Sequence, residues 1–395
     1  GGADLIFGGQ GNDTITQTAA ANSSKIWGNQ GNDSVNISTA TNSASIYGGQ
    51  GNDTIQFTSA ATGIFASGDL GDDRLTFTTL VGSTILGDNS TTAGADTITA
   101  SRISTTQIFG NQGNDSITVS GEVLNSSIYG GAGNDVISGI TTLTSSLLRG
   151  DLGADTISVQ STSLVYNSTI YGDNGQGGST GGADSINLSA GTEVISAVQV
   201  IGEGGNDSIT INARELIGVV ANGNAGVDAL IVNASLINST IYGGAGNDQL
   251  TLGVTSGLFY GDAGDDGFVG TANSATIYGD NTTSSGADSF NLTASGSLLY
   301  GQAGNDSFAT GSYNSSTLYG GEGVDTFSGI TGVTSRIFMD AGNDLFSGSA
   351  VVYTGNTING GAGNDTIQLV ASGTSVLGGS GNDAVTYSNV NTAGP

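Results

Sequence analysis

The sequence predicts an all-β fold, a parallel β-solenoid of about nineteen coils of about 20 residues each. Three observations predict it. A turn ending in Gly-x-Asp recurs nineteen times, apolar residues follow each turn with period two, and 69 glycines stand against a single proline in 395 residues. Repetition at a fixed period of this length is the mark of a stacked array, and this much glycine with a two-residue apolar period opposes a helical reading.

The turn comes first. Its aspartate is found at Asp13, Asp33, Asp53, Asp73, Asp96, Asp115, Asp135, Asp155, Asp184, Asp207, Asp228, Asp248, Asp266, Asp288, Asp306, Asp325, Asp344, Asp365 and Asp383. Gly stands two residues before every one of them, and eleven of the triplets read Gly-Asn-Asp. The spacing runs from 18 to 23 residues, with one step of 29 from Asp155 to Asp184. Two and four residues after the Asp come apolar pairs such as Val35 and Ile37, Ile55 and Phe57, and Ile209 and Ile211. This is strand alternation. A polar stretch such as 38–43 follows, and a second strand such as Ser45-Ile46-Tyr47 leads back to the next turn. Each unit is thus expected to hold two strands, one Gly/Asp turn and one solvated Ser/Thr/Asn loop. One unit cannot bury its apolar pair alone, whereas stacked units can. With neighbouring strands ~4.8 Å apart, nineteen coils predict a rod roughly 90 Å long.

Three turns are stretched, over 88–95, 173–183 and 280–287, each running from Gly-Asp-Asn to Gly-Ala-Asp. They are expected to interrupt the row of turns and to form loops on one face. Val227, Val324 and Met339 mark three further irregular turns. No change of composition divides the chain, so residues 1–395 are read as one continuous solenoid, with ends that fall inside a longer repeat protein.

Composition removes several functions. There is no His and no Cys, hence no imidazole base, no Cys-His pair, no disulfide frame and no ordinary zinc site. Six Lys and Arg against 34 Asp and Glu give a net charge of −28, which excludes a nucleic-acid partner. No apolar run reaches the ~20 residues of a membrane helix, so no membrane insertion is expected. No catalytic residues and no enzyme activity are predicted.

The acidic residues are concentrated. Of 29 Asp, nineteen are the turn aspartates, Asp4 stands alone, and the other nine also lie within the Gly-rich turns. Carboxylates stacked ~4.8 Å apart repel one another unless a cation lies between them, and six basic residues cannot supply it. Carboxylate and carbonyl oxygens with no nitrogen or sulfur suit Ca²⁺. Besides the nineteen turn aspartates, the candidate metal residues are Asp69, Asp151 and Asp262, and Asn12, Asn32, Asn52, Asn114, Asn134 and Asn247. One ion per adjacent pair of turns would make 18 ions and bring +36 against −28, so full occupancy is an upper bound.

Gly243-Gly244-Ala245-Gly246-Asn247-Asp248-Gln249-Leu250 and Gly360-Gly361-Ala362-Gly363-Asn364-Asp365-Thr366-Ile367 closely resemble the nonapeptide of the RTX, or hemolysin-type, calcium-binding repeat family. The resemblance extends over essentially the whole chain. It implies a β-roll, many bound Ca²⁺ ions, and a bacterial protein exported by type I secretion to the extracellular space or cell surface. Family rolls usually carry the nonapeptide twice per coil. Here it comes once, which predicts calcium along one edge only; Asp4 and Asp13, nine apart, alone keep the two-sided spacing.

An aromatic column precedes the turns: Phe7, Trp27, Tyr47, Phe109, Tyr129, Tyr171, Tyr242, Tyr260, Tyr278, Tyr300 and Tyr319. It is expected to be a stacking ladder, with a contact stripe for a partner chain or a cell-surface glycan as the alternative. The function expected is that of a non-catalytic, calcium-stabilised structural protein of a bacterial surface layer, sheath or filament. In this it resembles the repetitive surface proteins of cyanobacteria and S-layer proteins with such repeats. The alternatives are the stalk of a calcium-dependent adhesin or the repeat module of a secreted RTX enzyme or toxin. Partners are expected to be copies of the chain or neighbouring surface-layer subunits, met through the loop edge, the aromatic column and the stretched turns.

Overall fold

The computed structural model describes residues 3–89, 94–174, 181–254, 256–281, 285–309, 311–348, 355–370 and 373–387. The inner parts of the stretched turns, at 90–93, 175–180 and 282–284, lie outside them. The protein is an all-β parallel solenoid, and among the described residues there is no helix. It divides into two compact units, Gly1–Thr210 and Ile211–Pro395.

In the first unit, the strands that lead into the turns start with Leu5–Gln10, Lys25–Gln30 and Ser45–Gln50, and they pair in parallel one coil to the next. Strands leaving the turns, such as Ser34–Ile37 and Thr54–Phe57, form a second parallel row. The register sets like on like: Ile26 faces Ile46, Val35 faces Ile55, and Ile37 faces Phe57. Because side chains alternate across a strand, this register stacks the apolar pairs in the interior. Val35, Ile37, Ile46 and Ile55 are all at most 1% exposed.

The loop edge differs from the expected solvated turn. In several coils it holds a third short strand, as in Glu122–Leu124, Thr142–Thr144 and Val165–Tyr166, again paired in parallel. Each of these buries one apolar side chain, Val123, Leu143 and Val165, completely. Beyond that strand a residue in the left-handed region, Ser145 at φ 49°, swings the chain round so that Ser146 turns inward. There the hydroxyls form a ladder. Thr106 N–H donates to Ser126 Oγ, Ser126 N–H to Ser146 Oγ, and Ser146 N–H to Ser168 Oγ, each at 3.1 Å. Every hydroxyl passes its own proton to a backbone carbonyl, Ser126 to Leu124 and Ser146 to Thr144 at 2.7 Å. The buried hydroxyls of this ladder are therefore satisfied. Asp4 falls on the same edge, in the column of Ser24, whose hydroxyl accepts its N–H at 3.2 Å.

The second unit repeats the plan. Turn-entering strands such as Thr240–Ala245, Ala275–Asp280 and Leu298–Ala303 alternate with longer departing strands such as Ala229–Ile237 and Ser289–Ser295. Its hydroxyl ladder runs from Ala275 N–H to Ser297 Oγ, then from Ser297 N–H to Ser316 Oγ, both at 3.2 Å, and on to Ser335. Its core carries an aromatic stack at the position two residues after the turn Asp. Phe268, Phe290, Phe308 and Phe327 lie 5.0, 4.5 and 4.6 Å apart in sequence and are fully buried.

The outer aromatic column stacks as expected. Tyr242, Tyr260, Tyr278, Tyr300 and Tyr319 follow one another at centroid distances of 4.7–5.2 Å, tilted by 11° or less. In the first unit Phe7, Trp27 and Tyr47 stack, as do Phe109 and Tyr129, and Arg149 closes the latter pair by lying over Tyr129 at 4.9 Å. Replacing Phe308 by Ala removes the middle of the inner stack. It should cost about 3–5 kcal/mol in urea denaturation of the calcium-loaded protein, and a cost nearer that of an exposed substitution would show the stack to be dispensable.

Candidate metal centre

In each turn the backbone departs from the strand, and the Asp side chain folds back under it. Its two oxygens do different things. Oδ1 accepts the N–H of the turn Asp one coil earlier: Asp13 N–H to Asp33 Oδ1 at 2.7 Å, Asp33 to Asp53 and Asp53 to Asp73 at 2.6 Å. The ladder continues in the first unit through Asp96, Asp115, Asp135, Asp155 and Asp184 to Asp207. In the second unit it runs from Asp228 through Asp248, Asp266, Asp288, Asp306, Asp325, Asp344 and Asp365 to Asp383. The stretched turns do not interrupt this hydrogen-bond ladder: Asp73 N–H reaches Asp96 at 2.7 Å and Asp155 N–H reaches Asp184 at 2.7 Å. Nor do the Val turns, since Asp228 and Asp325 donate to the next Asp at 2.8 Å.

Oδ2 is buried and has no hydrogen-bond partner in Asp13, Asp33, Asp53, Asp73, Asp96, Asp115 and most later turns. Its surroundings are also acceptors. A methyl group placed on Gly8 would lie 2.7 Å from Asp13 Oδ2 and 2.6 Å from the Gly28 carbonyl oxygen of the next coil. On Gly243 it would meet Asp248 Oδ2 at 2.6 Å and the Gly261 carbonyl at 2.7 Å. So a carboxylate oxygen and a carbonyl oxygen converge on each glycine, which must be glycine to leave that space. At Met339 the rule bends without breaking, because the group it supplies to Gly320 is its backbone carbonyl.

These residues fit a hard cation. An acceptor-only cradle with a buried, unpaired carboxylate oxygen is costly when empty, and oxygen ligands of this kind suit Ca²⁺. Calcium held there would supply the positive charge that lets stacked carboxylates coexist and would tie each turn to the next. The Asp side chains and the Gly carbonyls would hold it.

The other candidates are placed differently. The Asn residues make a separate ladder on the exposed outside of the turn: Asn12 Oδ1 accepts Asn32 N–H at 2.8 Å, Asn32 that of Asn52 at 3.0 Å, and Asn52 that of Asp72 at 3.2 Å. Asn114, Asn134 and Asn247 do the same for Asn134, Ala154 and Asp265. Asp69, Asp151 and Asp262 sit half-buried at φ 78–81°. Asp69 accepts from Ser67 at 2.6 Å, and Asp151 pairs with Arg149. By contrast Asp88, Asp173 and Asp280, which the repeat pattern does not single out as ligands, are buried to 4% exposure or less. The carboxylates of Asp73, Asp88 and Asp96 come within 4.8 Å of one another.

Burial, with nearby carboxylates adding to it, raises many of the turn aspartates far above their ordinary 3.8. Asp73, Asp115, Asp184, Asp266 and Asp288 are pushed up to about 8. Asp53, Asp96, Asp155, Asp306, Asp325 and Asp344 are pushed up to about 7. The ladder hydrogen bond opposes the rise and loses.

The fold and this edge together define a calcium-binding β-roll. The family described as the RTX calcium-binding nonapeptide repeat matches residues 1–16, 45–56, 125–139, 238–254, 282–312, 300–329 and 353–368, and the chain carries that repeat. No curated protein matches the chain.

The raised values fix a sign. Folding without metal takes up protons, so these groups support the metal-free fold fully below about pH 4 and withdraw that support as pH rises through 7 to 8. Chelated protein should therefore keep its β circular-dichroism signal near pH 5, lose it near pH 9, and regain it at pH 9 with calcium. Equal signals at both pH values without metal would contradict this.

Proposed function

We propose that the chain is a non-catalytic structural module of a bacterial surface layer, sheath or filament, working outside the cell and stiffened by calcium. One observation carries the reading. A row of buried, acceptor-only positions recurs along each unit at turn Asp residues such as Asp33, Asp53, Asp115, Asp306 and Asp344, whose second oxygen has no hydrogen-bond partner. A catalytic protein concentrates its unusual groups at one place, whereas here they recur from turn to turn. The matching RTX repeats support export and an extracellular setting, where calcium is plentiful enough to fill such positions. Folding would then follow export, because apo turns repel and cannot close.

Contacts with neighbouring copies are assigned to the loop edge. It carries exposed apolar side chains, Leu164 and Tyr166 in the first unit and Ile237 and Val333 in the second, at 43–45% exposure. Chelation at neutral pH should abolish the β signal of the isolated chain, and restored calcium should return it. A signal indifferent to EGTA ends the reading. Leu164→Asp with Tyr166→Asp should leave that calcium response unchanged and reduce assembly severalfold by light scattering; assembly equal to that of the parent would remove the loop edge from the contact.

A further inference from the structure

We infer that the first stretched turn holds a calcium site of a second kind, built on the three buried carboxylates of Asp73, Asp88 and Asp96 and filled before the ordinary turns. Among the described residues, the corresponding carboxylates of the other two stretched turns are not drawn together in this way. The inference rests on the calcium reading of the ordinary turns and goes beyond it.

The sequence places the extra acid where these turns are. Nine Asp lie in the Gly-rich turns without being turn aspartates, and eight of them fall in a stretched turn or in the coil just before one. Only Asp340 does not. The register then sets acid on acid at each place: Asp69 faces Asp88, Asp151 faces Asp173, and Asp262 faces Asp280. A chain that merely needed a longer loop would have no use for this coincidence.

The backbone explains why the added carboxylate points inward. Four residues before the turn Asp, an ordinary turn uses the left-handed region: Asn29 has φ 82°, Asp69 79°, and Asp340 67°. The residue there is only part-buried. In a stretched turn the additional residues enter between this position and the Gly two before the turn Asp. The tight reversal is no longer required, and Asp88, Asp173 and Asp280 leave the left-handed region. They are 0, 4 and 0% exposed.

One oxygen of each closes the inserted loop. Gly94 N–H donates to Asp88 Oδ2 at 3.0 Å, Gly182 N–H to Asp173 Oδ1 at 3.3 Å, and Gly286 N–H to Asp280 Oδ2 at 3.1 Å. The other oxygen of Asp88, Oδ1, is buried with no hydrogen-bond partner. It belongs to the group of carboxylates that come within 4.8 Å of one another around Asp73 and Asp96, whose Oδ2 atoms are likewise unpartnered. Asn89 holds Asp69 beside them. Three negative groups thus surround one position, and calcium affinity rises with ligand charge and rigidity.

Calcium titration of the full chain by isothermal calorimetry tests this, with circular dichroism to report folding. The parent should show a tight phase of one ion, about tenfold stronger than the rest. Asp88→Asn should abolish that phase and keep the weaker one and the calcium-induced β signal. Asp340→Asn should leave both phases intact. If Asp88→Asn fails to fold, Asp88→Glu should weaken the tight phase and leave the rest unchanged. An Asp88→Asn variant whose isotherm matches the parent's overturns the inference, as does a parent with a single class of sites that still folds on calcium. A parent that binds no calcium overturns the reading of the ordinary turns as well.

Discussion

The constraint on which the structure depends is the stacking of one buried carboxylate per coil. The turn Asp cannot be replaced by a neutral residue that only packs, because its Oδ1 is what receives the N–H of the preceding turn, at 2.6–2.8 Å through most of the row. The same side chain then has a second oxygen with nothing to accept from. The solenoid register that aligns Ile26 with Ile46 and Val35 with Ile55 brings these second oxygens into line too. The stability gained from stacking and the cost of stacking come from one geometry.

The two edges of each coil meet the same problem with different chemistry. On the loop edge, Ser146 Oγ accepts from Ser126 N–H and donates to the Thr144 carbonyl. A hydroxyl can do both, so wherever Ser or Thr stands in this column its rung needs no further partner. On the turn edge an ionised carboxylate can only accept, so its ladder is complete on one oxygen and open on the other. The hydroxyl edge needs nothing from solution, and the carboxylate edge needs either protons or a cation. This asymmetry sets the open acceptor row on one edge and leaves the opposite edge free to vary in sequence.

Much of this was legible in the sequence, for a physical reason. Strand period and turn spacing act over a few residues, so the inward positions of Val35, Ile37, Ile55 and Phe57 follow from the alternation alone, and the Asp row follows from the repeat. The once-per-coil motif also located the edge on which the carboxylates stack. The hydroxyl ladder was not legible, because its column reads Ser24, Ala44, Ile64, Ser83 and Thr106 and lies inside a polar run that looks like a solvated loop. Only the register shows that these residues share a position. The inner Phe268 to Phe327 stack was half-legible: each Phe occupies a known apolar position, but their contact is a property of the stack. The inward turn of Asp88 was hidden for a third reason. It depends on φ, and the same Gly-Asp pair at Gly68-Asp69, with Asp69 in the left-handed region, leaves its Asp only part-buried.

The irregular turns show how little of the motif is indispensable. Val227 and Val324 replace the usual Asn and stand 55 and 50% exposed, yet the Asp ladder passes through Asp228 and Asp325 unchanged. That position lies outside the turn, and what it lends is mainly a backbone N–H, which any residue but proline has. Met339 replaces a glycine, yet its carbonyl still faces Gly320 and Asp325, and its side chain is fully buried. Two requirements remain strict. The Asp must be present because its Oδ1 receives the N–H of the turn before, and the cradle must supply a carbonyl. Everything else in the turn can change as long as the backbone path is kept. Where the path is altered, as between Asp88 and Gly94, the neighbouring acid takes a different place and with it a different chemistry.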